Sequence, residues 1–154
     1  PEFGVSVVFP VTWDILRGEF FHLQARGPDA QEPRGLFEYR GLEKIKKGLE
    51  ARREYAEGWY QAIRLSYENW EYESRSQELS DPEGTFLVEG TYTQTEEGLD
   101  GSTEVIRLRR VGVLRFRGSR VHAMYYTAAD ESFDSIRGLF EKMDQLHRYF
   151  EPTS

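Results

Sequence analysis

The sequence predicts an α+β fold: a curved antiparallel sheet wrapped on a helix, with a second helix at the C-terminus. Three stretches carry this reading. Ser66–Asp130 reads as three or four long strands joined by short turns. Gly41–Glu57 places Leu42, Ile45, Leu49 and Tyr55 near one helical face, with charge on the other. Ser132–Phe150 repeats Phe133, Ile136, Phe140, Met143, Leu146 and Phe150 at i, i+3/i+4 spacing.

The 154 residues suit one domain, 1–154, able to bury a core without disulfides or metal, and the chain has no cysteine. A formal charge of -7 argues against broad nucleic-acid or anionic-membrane binding. No apolar run approaches the roughly 20 residues of a membrane span, and no signal-peptide pattern opens the chain. Together with the lack of cysteine, this leaves the cytoplasm as the expected compartment. The start Pro1-Glu2-Phe3 lacks an initiator Met and reads as processed or trimmed. Aromatic residues make up 14% of the chain and gather in the β region, which fits a lined pocket or a dimer face.

Taken in order, Gly4–Phe9 is a β-branched run stopped by Pro10, an edge strand within an extended lead-in over 1–10. Alternation from about Glu19 to Ala25 predicts a strand, and Gly27–Gly35 is loop by composition. Leu36–Arg40 is short and extended. The helix over Gly41–Glu57 is weakened by Gly48, by about 1 kcal/mol relative to Ala, and stopped by Gly58. Trp59–Leu79 turns to strand character, and Ser80–Gly84 is a turn. Thr85–Thr95 and Thr103–Arg117 are strands. In the latter, Arg110 and Gly112 interrupt an apolar row, which a bulge would relieve. Glu104–Thr127 gives the clearest signal, two β-rich runs around the turn Arg117-Gly118-Ser119-Arg120. The final helix spans 132–150, capped by Asp130 or Ser132 and ended by Pro152.

Three segments resemble the nuclear transport factor 2-like superfamily, which includes SnoaL-like polyketide cyclases and ketosteroid isomerases. They are Trp13-Asp14 with Phe37–Ile45, then Phe86–Tyr92, then Val113–Val121 running into Met124-Tyr125-Tyr126. The resemblance covers most of residues 13–130. It implies a cone-shaped, cystatin-like sheet around a helix, with the family's N-terminal helices missing. Two departures stand out. Thr127 follows Tyr125-Tyr126 where cyclases carry an acid, and Gly112 stands where the isomerases place an oxyanion-stabilising acid.

A cone would enclose a largely apolar pocket. The resemblance therefore implies cofactor-free acid–base chemistry (isomerisation, cyclisation or dehydration) on a hydrophobic carbonyl-bearing molecule of polyketide, terpenoid or steroid type. The alternative is a non-catalytic dimerisation or protein-interaction domain. The candidate acids and bases are His122, His22 and Asp14, and the candidate ligand contacts are Trp13, Tyr39, Trp70, Tyr92, Arg110 and Tyr125. Each has a plainer reading. His122 has the parity opposite Val121, Ala123 and Tyr125, which favours solvent. His22 suits a hydrogen-bonded structural role, and Asp14 suits an Asx turn. Arg110 suits either a bound carboxylate or an outward salt bridge. His147 reads as a surface residue. No histidine pair has ligand spacing, so neither metal nor cofactor is expected. Homodimerisation through the outer sheet face, with Tyr67 and Trp70, is the expected assembly.

Overall fold

The computed structural model describes residues 4–16, 21–28, 34–42, 44–46, 48–80 and 83–150. Pro1-Glu2-Phe3, the strand start expected at Glu19, loop residues 29–33, turn residues 81–82 and Pro152, expected to end the last helix, lie outside the described residues. The elements run β1 (Val5–Ser6), β2 (Asp14–Leu16), β3 (Leu23–Arg26), β4 (Leu36–Leu42), α1 (Leu49–Ser66), β5 (Glu71–Glu78), β6 (Glu83–Glu97), β7 (Thr103–Arg117), β8 (Arg120–Ala129), α2 (Phe133–Leu146) and β9 (Arg148–Tyr149). Seven strands form one sheet in the order β2-β3-β4-β8-β7-β6-β5, every neighbour antiparallel. β1 and β9 pair separately, so the C-terminal helix ends at Leu146 and not at the expected Phe150: His147 is extended and Arg148–Tyr149 bond Val5–Ser6.

Period-two alternation decides what each face buries. Phe86, Val88, Leu114, Phe116, Val121 and Ala123 pack beneath Ala56, Tyr60 and Ile63 of α1. Phe37, Val113, Met124 and Tyr126 point the other way and pack beneath Phe133, Ile136, Phe140 and Met143 of α2. The Val, Leu, Ile, Phe and Met side chains among these each gain about 1.5–3 kcal/mol on full burial. A helix therefore covers each face of the sheet. The expectation of a cone wrapped on one helix is corrected: β8 runs through the middle with both faces buried, so the sheet has two cores.

The hairpin reading holds, with β7 spanning the expected Thr103–Arg117 and turning at Gly118 (φ 60). The first helix does not sit where the spacing placed it. Leu36–Leu42 continues as strand because it pairs with β8 out to Leu42↔Val121. Gly48 (φ 116) is the N-cap of α1, not an interior residue. Gly58 lies inside α1 facing open space, and the helix continues past it to Ser66. Trp59–Ser66, expected as strand, completes α1, since Arg52, Ala56, Tyr60 and Ile63 form one buried stripe at helical spacing. Asn69 (φ 54) then turns the chain into β5. No bulge occurs at Arg110. The β6–β7 register is unbroken through Gly90↔Arg110 and Val88↔Gly112, and the irregularity falls in β5 between Tyr72 and Ser74. Among the described residues, no helix is long and apolar enough to cross a membrane.

Candidate functional site

The expected site residues fall into three separate groups. Asp14 and Trp13 lie at the β2 end of the sheet. Asp14 is exposed, while Trp13 is buried edge-on against Phe140 with centroids 6.4 Å apart. His22 just before β3, Tyr39 on β4 and His122 on β8 form the second group. His122 is only 3% exposed, which corrects the solvent-facing reading. Its Nδ1 is hydrogen-bonded to the Tyr39 hydroxyl at 2.8 Å, and burial pushes its pKa down to about 4. His22 is exposed, and its Nδ1 accepts the Gly41 N–H at 2.9 Å. Burial likewise raises the Tyr39 phenol above its ordinary range.

The third group is on the α1 face, where Tyr92, Arg110, Tyr125 and Trp70 do come together. Arg110 is 5% exposed and bonds Glu38 at 2.5 Å. Its guanidinium lies 4.6 Å from the Tyr125 ring centroid and 5.0 Å from that of Tyr67. Glu38 completes its shell with Gln24 Nε2 at 2.7 Å. The outward salt bridge considered for Arg110 is thus an inward one. Tyr67 and Trp70, assigned to an outer dimer face, are half-buried against each other and against Tyr92. Burial holds the Tyr67 phenol up at about 12. Past the end of α1 this face opens into a groove of about 530 Å³, lined by Phe21, Leu36, Glu38, Tyr67, Tyr92 and Arg110 among others.

A second hollow, about 210 Å³, lies between α2 and the sheet. Leu87, Val111, Val113 and Tyr126 form its floor, and Phe133 and Phe140 of α2 its roof. Glu89, Arg137, Glu141 and Asp144 supply its charged lining. Glu89 accepts Arg137 at 2.7 and 3.0 Å and Arg109 at 2.6 Å, and the Arg137 bonds foremost hold its carboxyl below the usual range. Asp144 pairs with Arg115 and accepts the Tyr126 hydroxyl at 2.8 Å. Because that hydroxyl donates to Asp144, it accepts from His147 Nε2 at 3.0 Å. His147 Nδ1 in turn accepts the Val8 N–H at 3.0 Å. His147 is therefore a buried neutral imidazole, 3% exposed and pushed by burial to about 4, and not the surface residue expected.

None of the nine expected site residues lines this cavity. Part of it was present in the sequence as the Phe133/Phe140 stripe and as Tyr126 of the Tyr-Tyr pair. What the pattern did not show was that α2 stands off β6 and β7 at Leu87 and Val111. Among the described residues, no group of three or more His, Asp or Glu is placed to hold a metal.

No known family's sequence pattern matches the chain, and no curated protein matches its sequence. Its fold does match solved structures. Cyanobacterial PsbP (CyanoP) from Synechocystis sp. PCC 6803 is similar with a TM-score of 0.66 at 9% identity, over 96% of this chain and 88% of that one. LpqN, involved in cell envelope biogenesis of Mycobacterium tuberculosis, is similar with a TM-score of 0.57 at 9% identity, over 96% and 83%. At this identity the likeness concerns fold alone. It overturns the resemblance to the nuclear transport factor 2-like superfamily and, with it, the SnoaL-like and cyclase labels, since those segments record only antiparallel strands in a common order. The chain is an α+β protein with a PsbP-like fold: a seven-stranded antiparallel sheet and two helices, one of them C-terminal.

Proposed function

We propose that this protein is a binding module for a small apolar molecule, taken up in the cavity between α2 and the sheet. The observation that carries this reading is the lining: six apolar or aromatic side chains around about 210 Å³, with Glu89, Arg137 and Asp144 already in ion pairs and Glu141 exposed at the rim. Size limits the ligand. The volume exceeds the roughly 150 Å³ of a cavity that takes one benzene ring and falls short of the roughly 300 Å³ at which drug-sized pockets begin. A one- or two-ring aromatic or a short branched aliphatic fits; a steroid does not.

Acid–base turnover requires a proton-transfer group facing the bound molecule with a pKa near the working pH. Glu89 is held ionised by its arginines, and Asp144 is engaged by Arg115 and Tyr126. His122, His22 and Asp14 lie outside the cavity lining. Glu141 is exposed to solvent at the cavity rim, and binding without chemistry is the reading these positions favour.

The test is a panel of one- and two-ring apolar compounds screened by methyl NMR and calorimetry. Binding is expected to shift Leu87, Val111 and Val113 methyls and to disappear in Val111→Phe, whose ring fills the hollow while the unfolding temperature holds or rises. Binding that survives Val111→Phe, or a panel that leaves these methyls unmoved, overturns the assignment.

A further inference from the structure

The β6–β7 hairpin outruns its neighbours on both sides. β5 pairs with β6 only as far as Thr91, and β8 pairs with β7 only as far as Leu108. β6 and β7 continue together to Glu97 and Thr103. Residues 94–105 are exposed throughout.

Two independent features of this arm point to a ligand. The first is backbone. On the β5 side, the Thr93 N–H reaches the Glu68 carbonyl at 2.9 Å, and Thr95 and Glu97 follow with the same backbone orientation. No strand pairs there among the described residues, so this edge is open for strand addition. The second is charge. Glu96 stands directly opposite Glu104 on one face of the ribbon, an arrangement that is unfavourable unless a cation lies between them. Neither is in an ion pair among the described residues, and positions 94–106 contain no Lys or Arg. That face continues inward through Gln94 to Tyr92 at the groove. Thr93, Gln94 and Thr95 line the same groove.

We propose that the open edge of β6 at Thr95–Glu97 receives an extended basic peptide segment of a partner protein as an added strand. One Lys or Arg of the segment lies over Glu96 and Glu104. Main-chain bonds to Thr95 and Glu97 supply affinity, and the carboxylate pair selects sign. A second copy of this chain is a poor occupant, because it would bring Glu96 and Glu97 against acidic residues.

The experiment uses a short fluorescein-labelled peptide alternating Lys with Val and Gln, with a Glu-substituted peptide as control, measured by anisotropy on the full chain. The Lys peptide is expected to bind and the Glu peptide not to. Thr95→Pro, which removes one edge N–H at an exposed position where proline is tolerated, is expected to weaken binding by about tenfold or more. Glu96→Lys with Glu104→Lys is expected to abolish it. Amide exchange at Thr95 and Glu97 is expected to slow in the complex, and unchanged unfolding temperatures show that the variants are folded. Binding indifferent to Thr95→Pro indicates adsorption by charge alone and overturns the proposal. So does the absence of binding, or self-association that protects the same amides without peptide.

Discussion

Glu38 on β4 and Arg110 on β7 meet at 2.5 Å across the intervening strand β8, although 72 residues separate them in sequence. Both side chains are at most 6% exposed, so each charge is met by the other, by Gln24, by the Tyr92 side chain and by the flanking Tyr67 and Tyr125 rings. The pair therefore fixes how the β4–β8 half of the sheet registers on the β7–β6 half.

Breaking this pair from one side strands a buried charge. Arg110→Met and Glu38→Leu are each expected to cost about 3–5 kcal/mol, and the double replacement less than their sum. Urea unfolding of the four proteins in a double-mutant cycle measures this; additive losses would show that the two groups act independently.

His122 and His147 make stability depend on pH. Both are neutral when folded and titrate at about 4, against 6.5 when exposed. The unfolded chain therefore binds protons first as pH falls. Stability is expected to be full above about pH 6.5 and to decline from there toward pH 4, by up to about 3 kcal/mol per imidazole. Chemical denaturation at a series of pH values tests the sign, and His147→Gln is expected to flatten the curve.

Gly90 lies under the Trp70 indole. An added Cβ would stand 2.4 Å from its Cη2 and Cζ2 and 2.7 Å from the Glu71 carbonyl oxygen. Gly90→Ala is expected to destabilise by about 1–3 kcal/mol and to change Trp70 fluorescence. Gly58→Ala, facing open space on α1, is expected to stabilise by up to about 1 kcal/mol.

Arg52 ties α1 to two turns at once. Its Nη1 donates to the carbonyls of Leu79 and Ser80 at 3.1 and 2.7 Å, and its Nη2 to that of Gly118 at 3.0 Å. Arg52→Leu is expected to cost at least about 3 kcal/mol by leaving these carbonyls without their charged donor. Arg52→Lys recovers little, because an ammonium lacks the planar fork. Thermal unfolding of the two variants distinguishes a hydrogen-bonding role from simple packing.

The sequence by itself determined the hairpin over Glu104–Thr127 and the C-terminal helix as far as Leu146, but not the strand Arg148–Tyr149 that replaces its expected last turn. Period-two alternation from Thr85 to Arg117 and the Phe133–Met143 stripe are local patterns, each satisfied by the backbone geometry that produces it. Trp59 and Tyr60 were drawn to a strand reading by their own β propensity, yet their spacing from Arg52 and Ala56 places them on a helix that only packing on Phe86 and Leu114 makes stable. Whether both faces of β8 were covered was not legible, because a buried strand shows the same apolar run whichever helix lies on each side. That choice separated the PsbP-like arrangement from a cone. It also sent His122 and His147 into the interior and left the cavity at Leu87 and Val111. Contacts such as Glu38 with Arg110 depend on strand order, which is set by the burial of the whole sheet and not by any one segment's pattern.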